Sequence, residues 1–99
     1  MTISAEQVLR RLSALPGADL VGQGIEDLGR GLETEEALLV SIGAPRLRSL
    51  GIELPPTIAS PEHSLYLHLA ERSGDGAHSA YNALLRRLVS FERAASCAP

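Results

Sequence analysis

SPEHSLYLHLAERSGDGAHSAYNALLRRLVSFERAA, residues 60–95, is the stretch that decides the fold. Ser60 stands at a cap position, Pro61 suits the first helical position and Glu62 is a first-turn acid, so the chain predicts a helix over 61–73. Leu65, Tyr66, Leu67, Leu69 and Ala70 spread over more than half its circumference, leaving the rest to Ser64, His68, Glu71 and Arg72. A helix this apolar must be covered on two sides, by the fold or by a partner. Gly74-Asp75-Gly76 is a tight turn. Beyond it Ala77, Tyr81, Leu84, Leu88, Phe91 and Ala95 recur at helical spacing over 77–95. Two helices joined so closely form an antiparallel hairpin.

Working outward, residues 52–60 carry Pro55-Pro56, which neither continue a helix nor sit in a central strand, and read as an extended crossover. Upstream, Thr34 caps a helix whose buried side is Leu38, Leu39 and Ile42 and whose C-cap is Gly43. Pro45 then opens a short helix carrying Leu47 and Leu50, closed by Gly51, with Ile52 packing back across the cap. Residues 18–30 hold another helical pattern, Leu20, Val21, Gly24, Ile25 and Leu28. Gly24 on its apolar face signals close approach of another backbone, and Gly29-Arg30-Gly31 ends it. Residues 4–7 have capping-box spacing, and Ala5, Val8, Leu9, Leu12 and Leu15 follow on one face until Pro16-Gly17. Nothing alternates with period two over a strand's length. The expectation is an all-α protein: one domain over 1–99, a compact bundle of five to six helices ending in a long antiparallel helical hairpin.

Composition bounds the function. With 99 residues, two tyrosines, one phenylalanine and no tryptophan, the core is aliphatic and the aromatics are too few for base-stacking platforms. All nine basic residues are arginine, and the net charge of -3 argues against a general grip on nucleic acid or anionic membrane. A single cysteine, Cys97, forms no internal disulfide. No apolar run approaches a membrane span and no signal peptide is read over the first residues, so the expected compartment is the cytoplasm.

Motifs with a specific chemistry are scarce. His63, His68 and His78 lack the spacing that sets two metal ligands on one helical face, and neither a metal nor a cofactor is expected. The Gly22-Gln23-Gly24 and Gly29-Arg30-Gly31 clusters lack the strand and the Gly-Lys-Ser/Thr of a phosphate loop. Residues 35–52 resemble a helix-turn-helix, with Gly43 at the turn and Arg46, Arg48 and Ser49 on the second helix. That resemblance implies a DNA-binding regulator, although the second helix has barely two turns to lay in a groove. Arg72 and His78 resemble the arginine–histidine pair of HEPN-type helical ribonucleases, which implies cleavage of RNA by attack of a 2′-hydroxyl.

The most organised polar feature is on the last helix. His78, Asn82, Arg86 and Arg93 fall in one stripe interrupted by Val89 and flanked by Arg87. It is either a solvated face or a docking strip for an acidic protein partner or a phosphate-bearing ligand. Glu92, at the edge of the apolar stripe, is placed to be a partly buried acid paired with Arg46 or Arg48. The function expected is a non-enzymatic protein-interaction module acting as a homodimer through Tyr66, Leu67 and Ala70. A nucleic-acid-binding regulator and a small ribonuclease are the alternatives.

Overall fold

The computed structural model describes residues 12–97. Four α-helices fill them: α1 (Ala18–Gly29), α2 (Glu35–Ser49), α3 (Pro61–Ser73) and α4 (Ala77–Cys97), the last two joined by a 3-10 turn over Gly74–Gly76. No strand occurs among the described residues. The helix expected over 5–15 lies largely outside them.

The bundle of five to six helices is corrected by this arrangement. The described residues make three helical runs, 18–29, 35–49 and 61–97, the last divided by its 3-10 turn. The main difference lies at Pro45. Gly43 and Pro45 read locally as a stop and a start, yet α2 passes through both. Proline inside a helix costs about 3 kcal/mol. Here Pro45 itself faces solvent, while Leu38, Leu39, Val40, Ala44 and Leu47 are buried on either side of it. Each large aliphatic side chain contributes about 1.5–3 kcal/mol on burial, so a continuous run that buries both halves outweighs the local break. The helix-turn-helix geometry expected over 35–52 therefore does not form.

α2 is the central element, packed against α1, α3 and α4. Gly24 of α1 meets it so closely that a Cβ there would collide with the Glu36 carbonyl and the Val40 side chain, the close backbone approach expected from the sequence. Thr34 caps α2 as expected, accepting from the Ala37 N–H at 3.1 Å. It also donates to Asp27 Oδ2 at 2.6 Å, while Gln23 donates to Asp27 Oδ1 at 2.9 Å. These hydrogen bonds, Thr34 first, hold the buried Asp27 carboxyl below its ordinary range. They also tie the end of α1 to the start of α2.

The glycines after α1 and α2 close both helices alike. Leu32 N–H reaches the Asp27 carbonyl at 2.9 Å and Ile52 N–H the Leu47 carbonyl at 3.2 Å, with Gly31 and Gly51 at positive φ. Ile52 is thereby buried against the helix it leaves, at 2% exposure. The crossover that follows is bolted down by Ser41, whose hydroxyl donates to the Ala37 carbonyl (2.9 Å) and accepts from the Ile58 N–H (3.1 Å).

The terminal hairpin forms as expected, with the Tyr66 and Tyr81 rings 5.7 Å apart across it. Ala77, Leu88 and Phe91 are buried, and Tyr81, Leu84 and Ala95 pack half-buried around them. Ser60 departs from expectation: it sits in the left-handed region at φ 48° and its hydroxyl makes no capping bond, leaving Pro61 as the start signal. None of the described helices is long and apolar enough to cross a membrane.

Candidate functional site

The outer face of α4 carries the site. One turn after another, Ser79, Asn82, Arg86, Ser90 and Arg93 point away from the core beside Leu85 and Val89, and together they line an open depression. A second depression lies where α4 crosses the C-terminal half of α2, between Ile42, Pro45 and Arg46 on one side and Leu88 and Glu92 on the other. Leu85 and Val89 border both, so the two form one continuous surface. Val89 at its centre is 40% exposed.

Gly43 makes this crossing possible. A Cβ at that position would stand 3.0 Å from the Leu88 methyl groups and 3.1 Å from Glu92 Oε2. The residue expected to end a helix instead lets α4 approach α2. Beneath the crossing Glu92 is half-buried. Burial pushes its carboxyl up from the ordinary range, and the positive charge of Arg46 opposes the shift. The partly buried acid beside Arg46 is present as expected, but no ion pair joins the two among the described residues.

Among the described residues the arginines fall into two groups. Arg30, Arg72 and Arg87 are engaged by Glu26, Glu35 and Asp19. Arg46, Arg48, Arg86 and Arg93 make no ion pair among the described residues. Three of these four, Arg46, Arg86 and Arg93, surround Val89, in a chain whose net charge is -3. Of the four stripe residues named from the sequence, Asn82, Arg86 and Arg93 share the depression. His78 sits one turn back, its Nε2 3.2 Å from Asn82 Nδ2. Sequence reasoning missed Ile42, Pro45 and Arg46 as parts of the same surface. The one signal toward it was the choice of Arg46 or Arg48 as partner for Glu92.

The other candidates separate. Arg72 makes two hydrogen bonds to Glu35, at 2.9 and 3.2 Å, which raise its pKa further. His78 turns to Asn82, and no hydrogen bond joins Arg72 to His78. His68 lies 3.3 Å from Glu33. No group of three histidine, cysteine or acidic side chains converges on a metal position among the described residues. On the hairpin's other helix Tyr66 and Leu67 are 40% and 50% exposed, whereas Ala70 is half-buried at the edge of the core.

Comparison with protein families, with curated proteins and with solved structures finds no match to this chain.

Proposed function

We propose that this protein is a non-enzymatic interaction module whose α4 face receives an acidic, amphipathic helix from a partner protein. The observation that carries the reading is the exposed Val89, with half-buried Leu85 beside it, set among three arginines without ion pairs among the described residues. An apolar centre with a charged rim is the pattern of a protein-binding patch. Arginine is the basic residue suited to bidentate pairing with carboxylates. Half-buried Glu92 under the same surface weakens its attraction for a phosphate backbone but leaves room for a partner's apolar side chains. In a helix-in-groove contact, leucines four residues apart would cover Leu85 and Val89 while flanking glutamates reach Arg46, Arg86 and Arg93.

A synthetic helical peptide with that pattern, labelled for fluorescence anisotropy, tests this directly. Binding is expected to weaken with rising salt and to fall at least tenfold in the Arg86→Glu, Arg93→Glu double variant, as rim charges set complementarity. Equal affinity for a scrambled peptide, or no loss in the variant, defeats the reading. Tighter binding to single-stranded RNA than to the peptide would replace it with a nucleic-acid reading.

A further inference from the structure

The outward stripe of α3 is complementary to itself. On this helix Leu65 and Leu69 face the core at 0% exposure, which turns His63, Leu67 and Glu71 to the opposite side. All three are exposed. Leu67, at 50%, is the most exposed large apolar side chain among the described residues. Neither His63 nor Glu71 holds a hydrogen bond or ion pair among the described residues, although His68 and Arg72 on the same helix are engaged by Glu33 and Glu35. From the sequence alone, Tyr66, Leu67 and Ala70 were the expected dimer contacts. The structure supplies what such a contact needs in addition, a register.

We infer that α3 pairs with α3 of a second copy, antiparallel about a two-fold axis passing beside Leu67. Such an axis sets each residue a given number of positions before 67 opposite the residue the same number after it. Leu67 then meets the partner's Leu67, and His63 meets the partner's Glu71 on both sides of the axis. Ala70 meets the partner's Ser64, two small residues that let the helices approach. Tyr66, held against Tyr81, closes the rim against the partner's His68. A parallel pairing sets Glu71 against Glu71 and His63 against His63, so complementarity selects the antiparallel register. The contact is one helix of 13 residues, about 20 Å long. It falls in the small-interface class, whose complexes dissociate readily. The dimer is a reversible one, and it leaves the α4 face free; it stands or falls independently of the acidic partner.

Sedimentation equilibrium between about 10 μM and about 1 mM tests it, because affinities in this range suit a small interface. The mass is expected to rise from the 10.5 kDa of one chain toward twice that value. Leu67→Glu should hold it at one chain over the whole range, with an unchanged circular dichroism spectrum, since Leu67 is half exposed and lies outside the core cluster. His63→Glu sets glutamate against the partner's Glu71 and should weaken association at least tenfold. The double variant His63→Glu, Glu71→Arg sets glutamate against the partner's arginine and should recover it. A monomer at every concentration, or a dimer indifferent to Leu67→Glu, overturns the inference. Failure of the double variant to recover association overturns the antiparallel register.

Discussion

Gly24→Ala sets two physical effects against each other, and the structure decides between them. In the interior of α1, alanine is favoured over glycine by about 1 kcal/mol on helix propensity. A reading from propensity alone makes the variant more stable. The added methyl group, however, would enter space already held by the Glu36 carbonyl and Val40 Cγ2, with the Glu36 carbonyl carbon 2.8 Å away. The obstacle is the backbone of the central helix, so no rotamer change relieves it. Overpacking a core costs about 1–3 kcal/mol, and a clash with backbone belongs at the upper end. The net loss is about 2 kcal/mol, which for a domain of this size lowers Tm by roughly 8–16 °C. Gly29→Ala in the same helix is the control: its nearest neighbour would be Pro55 Cγ at 3.9 Å. That variant should gain about 0.5–1 kcal/mol. Thermal and urea unfolding followed by circular dichroism measure both. Equal stabilisation of the two would mean that α1 and α2 are not in close contact.

Leu88→Ala should cost about 2–5 kcal/mol, because Leu88 is 3% exposed beneath the α2–α4 crossing. Half-buried Leu84→Ala should cost less, and a reversed order in urea unfolding would mean the wrong face of α4 is inward. Ser41→Ala strands the Ile58 N–H and should destabilise by about 1–3 kcal/mol, with faster amide exchange at Ile58; unchanged exchange there would show that the crossover is held by other contacts. Two acids should respond to pH with opposite signs. The Asp27 pKa is depressed in the fold, so its contribution is present above the unfolded-state value of about 3.8 and is lost as pH falls through the folded one. The Glu92 pKa is raised, so its contribution is present below the unfolded-state value and is lost as pH rises through the folded one. Asp27→Asn should therefore flatten the acid limb of the stability curve, and Glu92→Gln should raise stability near neutral pH; the opposite slopes in pH-dependent unfolding would refute these assignments.

The hairpin was legible because its signals are local and agree: Pro61 at a helix start, glycines at 74 and 76, and apolar residues at helical spacing on both sides. Thr34 and Gly51 were legible for the same reason, each answering a demand made within a few residues of it, whereas Gly24 showed only that some backbone comes close, and the fold supplies Glu36 and Val40 of the next helix. Pro45 was misread because the local signal and the tertiary one disagree, and only the burial of Leu38 and Leu47 on one continuous helix settles it. Ser60 looked like a cap, but its hydroxyl makes no such bond. The arginine stripe on α4 followed from spacing along one helix. Arg46, Ile42 and Gly43 joined it only through the packing of α2 across α4, a contact between residues some forty positions apart that no periodicity reveals. Leu67 was recognised as excess apolar surface, but placing His63 and Glu71 on the same outward stripe needed Leu65 and Leu69 to fix which way the helix faces.

The most direct test of the account is an amide chemical-shift map of the protein titrated with the acidic helical peptide. Perturbations are expected to gather at residues 79–93 of α4 and 42–46 of α2, with α1 unaffected. Perturbations centred on α1, or a titration without any, would contradict the assignment of the arginine-flanked α4 face as the binding surface.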